Sequence, residues 1–253
     1  MALSQLKRNQ LQSLNKKLLL LKHSQERTSI EVAAALLPAA ISSIHVQKKN
    51  KNRFSIFVDE EFLVGVSDST LISLNLKKGD VLTTSKLERI FSLEDQWALK
   101  TYFLRLLSRR DHSKKELKNK ALQKGYRSAQ IEGILNELSE KGYINNLEFA
   151  MSFTRDKFRF NRWGVNKIRV ELRKKGVSEK EISTALSQVD TVCQSESIQE
   201  LINKHKARFL RVIPEKRKKK VYDFLLRKGY DSSIISSNLT SLLDSIENEK
   251  HHA

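Results

Sequence analysis

One cysteine, Cys193, stands in 253 residues. An intrachain disulfide and a cysteine-built zinc site are therefore excluded, and a reducing compartment fits. Two prolines and eight glycines are too few for a turn-rich all-β chain, and the Leu/Lys/Glu-rich remainder favours helix. No apolar run is long enough to span a bilayer. AAALLPAA, residues 33–40, is too short and lies too far into the chain for a secretory signal. Acids are scarce as well: 29 Asp and Glu face 47 Lys and Arg, a formal charge of +18. So basic a chain suits nucleic acid, an anionic membrane or an acidic protein better than a neutral substrate. Catalytic patterns are missing too. His23, His45, His112, His205, His251 and His252 show no metal-binding spacing, and neither a phosphate-binding GxxxxGK[ST] loop nor a GxGxxG turn occurs. The expectation is a protein that is not an enzyme and uses no cofactor or metal.

What the chain has is a phrase written three times. KELKNKALQKGYRSAQIEGIL (residues 115–135), NKIRVELRKKGVSEKEISTAL (166–186) and KKVYDFLLRKGYDSSIISSNL (219–239) each place Lys-Gly between two amphipathic segments. Aligned on Gly125, Gly176 and Gly229, the apolar positions coincide. Leu117, Ile168 and Val221 stand eight residues before, and Ala121, Leu172 and Leu225 four before. Ile131, Ile182 and Ile235 stand six after, and Leu135, Leu186 and Leu239 ten after. Residues four apart share a helical face, so each copy predicts two helices with one buried stripe apiece. The glycine supplies a left-handed helix stop, and Ser128, Ser178 or Asp231 the next N-cap. Such a unit cannot cover its own stripes, so copies must stack.

Upstream, residues 43–66 alternate with period two in three short runs joined by polar turns, which predicts a small antiparallel meander. A short helix follows over 68–75, then a long one capped by Ser85. The expected fold class is mainly α: the meander, then three tandem three-helix modules in an elongated curved array. The expected boundaries are a loosely attached helical extension over 1–40, the meander with short helices over 41–94, modules over 95–144, 145–190 and 197–243, and a disordered tail over 244–253. Residues 190–197 (DTVCQSES) read as a hinge.

Charge is concentrated in two runs. Between 155 and 175, Arg155, Lys157, Arg159, Arg162, Lys167, Arg169, Arg173, Lys174 and Lys175 face only Asp156 and Glu171. Between 204 and 220, Lys204, Lys206, Arg208, Arg211, Lys216, Arg217, Lys218, Lys219 and Lys220 face only Glu215. Equivalent placement in adjacent modules predicts one basic stripe. The residues assigned to it are Arg155, Lys157, Arg159, Arg162, Lys167, Arg169, Arg173, Lys174, Lys204, Lys206, Arg208, Arg211, Lys216, Arg217 and Lys218. Each phosphate such a stripe neutralises adds affinity through counterion release. No base-reading pattern of Asn, Gln or Arg stands out, so non-specific contact is expected. Phe149 and Phe153, one turn apart, read as core rather than as a stacking platform.

The residues also carry a family resemblance. The middle repeat resembles that of RecX proteins, in the Gly142-Tyr143 junction, Phe149-Ala150, Arg155, Trp163-Gly164, Lys167-Ile168, Glu171-Leu172, Lys175-Gly176 and Ile182. SRRDHSKKELKNKALQKGY resembles the first repeat through Ser113, Glu116-Leu117 and Gly125, and ISSIHVQKKNKNRFSIFVDEEFLVGV the run that precedes the repeats. The third repeat departs most, with Pro214 and the basic run 216–220. The resemblance spans residues 41–243. It implies a cytoplasmic, monomeric regulator that lodges on the RecA–DNA filament, inhibiting or remodelling it, with non-specific single- or double-stranded DNA as co-partner and no membrane. The alternative is an autonomous DNA-binding protein whose repeats act as helix-turn-helix units.

Overall fold

The computed structural model describes residues 37–247. Residues 1–36 of the expected extension over 1–40 lie outside them, and Ala39 and Ala40 belong to the first strand. The chain divides into two compact units: one runs to Leu104 and includes Ala121–Ile134, the other holds Arg105–Lys120 and everything from Leu135 onward.

The meander is present in the first unit. Strands β1 (Ala39–Gln47), β2 (Asn50–Val58) and β3 (Glu61–Ser67) pair antiparallel in sequence. Asp59 and Glu60 both take positive φ, as a two-residue hairpin turn requires. A fourth strand, β4 (Val81–Leu82), pairs with Ala39 and Ala40 and gives the order β3-β2-β1-β4. Two residues are too short a run to show a period, so β4 was not expected. Helix α1 (Asp68–Ser73) starts on the Ser67 hydroxyl, which accepts from the Thr70 amide. Helix α2 (Thr84–Leu107) is capped by Thr83 rather than Ser85: the Lys86 amide donates to Thr83 Oγ1. Ile41, Ile56, Val58, Val66, Leu82, Leu87 and Ile90 form the core of this unit.

Three helices per module are found. With α2 go α3 (Lys114–Gln123) and α4 (Ser128–Glu140); then come α5 (Asn146–Asn161), α6 (Val165–Lys174) and α7 (Glu179–Leu186); then α8 (Thr191–Leu210), α9 (Pro214–Lys228) and α10 (Ser232–Glu247). Every residue of the four aligned apolar positions is buried in all three copies. Each glycine is left-handed, with φ of 88° at Gly125, 76° at Gly176 and 92° at Gly229. The glycine amide donates to the carbonyl three residues back, and the next amide to the carbonyl five back: Tyr126 to Ala121, Val177 to Leu172, Tyr230 to Leu225, each at 3.2 Å. Two orphan carbonyls are thereby satisfied where each helix ends.

Of the three expected N-caps, Ser178 forms a full capping box with Glu181, and Asp231 accepts from the Ser233 amide. Ser128 instead sits inside α4, and Gln130 reaches back to the Arg127 amide. The expected hinge at 190–197 is the first two turns of α8. Asp190 caps it by accepting from the Cys193 amide at 2.7 Å, and buried Ser197 hydrogen-bonds the Tyr230 hydroxyl at 2.8 Å. Residues 244–247, expected in the tail, continue α10 and bury Ile246; the remainder of that tail lies outside the described residues.

Within the second unit, successive modules join at the Lys-Gly turns. Twelve residues before the aligned glycines stand Ser113, Gly164 and Arg217. Ser113 Oγ donates to the Lys175 carbonyl at 2.8 Å, so the start of α3 sits on the turn after α6. One module on, the Gly164 amide donates to the Lys228 carbonyl at 2.9 Å and the Asn166 amide to the Gly229 carbonyl at 3.0 Å. Main chain lies directly on main chain here: a Cβ on Gly164 would come within 2.3 Å of the Gly229 carbonyl. The third member of the series, Arg217, corrects the expected stripe. It is 5 % exposed, and its guanidinium donates to the carbonyls of Phe209 and Val212 and pairs with Glu247. So many internal partners leave it none for a ligand.

Two substitutions follow from these contacts. Gly164 has φ −73°, which any residue adopts, so only the close approach opposes Gly164→Ala. A loss of about 3 kcal/mol is expected, against about 1 kcal/mol for Gly125→Ala, where a side chain meets nothing but a left-handed backbone. Denaturant unfolding measures both, and equal losses would refute the junction. Arg217→Ala should cost about 3 kcal/mol of stability, because it strips partners from Phe209, Val212 and Glu247.

Candidate anion-binding interface

The basic residues separate into three groups by what they touch. The first is neutralised locally. Arg173 pairs with Glu179 through two hydrogen bonds, Arg169 lies 3.9 Å from the same carboxylate, and Lys174 pairs with Glu171 at 2.8 Å. The Arg173 guanidinium holds the Glu179 carboxyl below its usual range. Arg162, itself the left-handed cap of α5 at φ 50°, pairs with Glu200. Exposed pairs of this kind contribute little stability, but their charge is already answered.

The second group gathers where α6, α8 and α9 meet. Lys167 reaches over the Trp163 ring, 4.4 Å from its centre, with Lys157 at 5.3 Å. Lys228, the lysine of the third Lys-Gly turn, donates to the Asn161 carbonyl at 3.4 Å and lies over Phe224, as does Arg208. His205 stands edge-on to the same Phe224 ring at 5.2 Å. Burial, then Lys167 and Lys204, push the Lys228 ammonium below its usual range. Burial, then Lys228, Arg208 and Lys204, do the same to His205. No carboxylate figures among the causes of either shift. Attraction to a ring face, worth about 0.5–1 kcal/mol at an exposed site, positions these ammonium groups without consuming their charge.

The third group is exposed, with no such cluster around it: Arg155 and Arg159 on α5, Arg211 after α8, and Lys216 and Lys218 on α9. Lys206 is half-buried. Of the fifteen residues assigned from sequence, then, the structure brings Lys167, Lys204 and Arg208 together around Lys228 and His205, with Lys157 sharing the Trp163 ring with Lys167. It ties Arg162, Arg169, Arg173 and Lys174 to carboxylates and buries Arg217. Lys228 itself was missed, though a lysine before every repeat glycine was visible. Lys124 lies over Tyr102 at 4.6 Å, and Lys175 over Phe153 at 5.4 Å while pairing with Glu116. The third copy, Lys228, is held below its usual range by Lys167 and Lys204 after burial. Phe149 is core as expected, and Phe153 packs half-buried against it.

Such a cluster is suited to anions, and its histidine would make any such contact depend on pH. Burial, and after it the neighbouring cations, hold His205 below its ordinary 6.5, so the free protein keeps it neutral at pH 7. A bound polyanion offsets those cations and favours the proton. Affinity for a polyanion should therefore rise as pH falls from about 7.5 to about 5.5, and His205→Gln should flatten that rise. In the free protein the sign reverses. The unfolded chain takes the proton more readily, so this residue's contribution to stability falls as pH drops through 6.5 and levels off below the folded value. Fluorescence anisotropy at constant ionic strength, beside thermal melts, reads both.

Comparison with known proteins agrees with the layout just described. Four family models match in order: the regulatory protein RecX N-terminal domain over residues 39–83, and the RecX first, second and third three-helix domains over 100–138, 145–186 and 194–237. Regulatory protein RecX of Clostridioides difficile is 31% identical over 207 residues, 81% of this chain and 96% of that one. Its counterpart in Listeria monocytogenes is 30% identical, covering 81% of this chain and 77% of the other. A crystal structure of regulatory protein RecX matches 78% of this chain and 97% of its own with a TM-score of 0.69 at 29% identity. RecX from Lactobacillus salivarius matches 60% of this chain with a TM-score of 0.54. The sheet and the three helix triplets fall in the order of the four family models, and the chain belongs to the RecX family of regulatory proteins.

Proposed function

We propose that this chain is a monomeric, cytoplasmic, non-catalytic regulator that binds the RecA–DNA filament and inhibits or remodels it, so modulating recombination and DNA repair. The single observation that carries the reading to nucleic acid is the cationic cluster around Lys228, placed by ring faces and backbone carbonyls rather than by carboxylates. A surface of that kind gains affinity for phosphates, because each phosphate it neutralises releases counterions condensed on the nucleic acid. Family membership supports the recombinase as the assembly that presents those phosphates. Sequence-selective reading of duplex DNA has no support in the side chains of the cluster, so the helix-turn-helix alternative gains nothing from it.

Co-sedimentation with RecA–single-stranded-DNA filaments, beside naked DNA, tests the reading. Binding should favour filaments, and the chain should lower the DNA-dependent ATPase of RecA while turning over no ATP itself. Lys204→Ala with Lys228→Gln should keep wild-type melting and flatten the log–log salt dependence by about 1.5 units. Site-selective binding to naked duplex would favour the alternative, and unaltered salt dependence would remove the cluster from the interface.

A further inference from the structure

Beside the cationic cluster, between α5 and α8, lies a cleft of about 300 Å³ that nothing above accounts for. Thr154, Arg155, Phe158 and Arg159 line it from α5, and Cys193 and Glu196 from α8. The Arg162–Glu200 pair also lines it. Thr154 is 2 % exposed, and its hydroxyl has no hydrogen-bond partner among the described residues. An unanswered buried hydroxyl costs about 1–3 kcal/mol, which a ligand contacting it would recover. Arg155 and Arg159 stand one turn apart, both exposed.

The chemistry of the lining is uneven in a way that narrows the ligand. Guanidinium groups call for an anion, but Glu196 and Glu200 share the cleft and would repel a phosphate or an acidic side chain pushed deep into it. The occupant must be anionic where it meets Arg155 and Arg159, flat and apolar against Phe158, and a hydrogen-bond donor toward Glu196 and Thr154. A nucleotide whose base bears an exocyclic amine meets all three demands, since carboxylates accept from such amines. Duplex DNA keeps those amines paired, whereas single strands can splay a base into a protein pocket. Along α8, Glu196, Glu200, Lys204 and Arg208 follow one another at four-residue spacing on one face. A strand on the Lys204 cluster therefore passes the cleft.

We propose that this cleft receives one unstacked, amine-bearing base of a single-stranded nucleic acid, with flanking phosphates on Arg155 and Arg159. The proposal rests on the reading that the basic face meets nucleic acid, and it adds a base preference that phosphate contact alone cannot give.

Cys193 is the only cysteine and lines the cleft, so its alkylation by N-ethylmaleimide reports occupancy in the free, full-length protein. At a tenfold excess of oligonucleotide over its dissociation constant, oligo(dA) and oligo(dC) should slow the reaction by about tenfold. Oligo(dT), at equal saturation by anisotropy, should slow it far less. Thr154→Val keeps the side-chain shape, should melt no lower than wild type, and should weaken the preference for dA and dC over dT. Arg155→Ala with Arg159→Ala should lower the single-strand salt slope by about 1.4. Saturated binding with Cys193 reacting at its free rate, or equal protection by all three oligomers, overturns the cleft while leaving the basic face intact. Failure of every oligomer to bind at low salt overturns both.

Discussion

Contact of main chain with main chain at the Lys-Gly turns is the constraint on which the rest of the second unit depends. A left-handed residue ends the helix, returns the chain, and leaves its own carbonyl and its predecessor's facing outward for the neighbouring module. At Gly164 and Gly229 no side chain intervenes. The hydrogen bonds therefore form between backbone groups that would otherwise be orphaned at helix ends. The apolar stripes of modules two and three can then be buried module by module, and the positions of α6, α8 and α9 relative to each other are fixed at that junction. The cation cluster is a by-product of that placement: Lys228 is where it is because its carbonyl is needed by Gly164.

Excess positive charge is the second theme, and its distribution matters more than its amount. Formal charge of +18 says only that some anion is sought. The structure sorts the cations by the company they keep. Those beside Glu171, Glu179 and Glu200 are answered within the chain. Lys157, Lys167 and Lys228 rest on aromatic rings, which orient an ammonium group yet leave its field intact for a partner. Arg217 is spent on the interior altogether.

Much of the fold was legible because its determinants are local. Glycine stops, N-caps and four-residue spacing need no knowledge of distant contacts, so all the aligned stripe residues proved buried. Errors arose where tertiary contact overrode local character. DTVCQSES looks like a loop by composition, but Asp190 caps it and Tyr230, far along the chain, accepts its Ser197 into the interior. The candidate site was legible only as a density of charge. Within the run 216–220 Arg217 is the one arginine among lysines, a difference suited to a buried, multiply bonded site that a reading of charge density passes over. A second signal was its alignment with Ser113 and Gly164, which marks it as a junction position rather than a surface one. The Lys228 cluster depends on residues brought from three helices, and no single stretch of sequence displays it.

That same alignment sets the third helix start apart from the other two. Serine and glycine at the first two junction positions are small enough to let a following turn settle on the helix start. Arginine at the third fills the equivalent place and folds back onto Phe209, Val212 and Glu247. At this third position the helix start is closed by its own guanidinium, and seating a turn there, as Gly164 seats the Lys228–Gly229 turn, would require a small residue at 217.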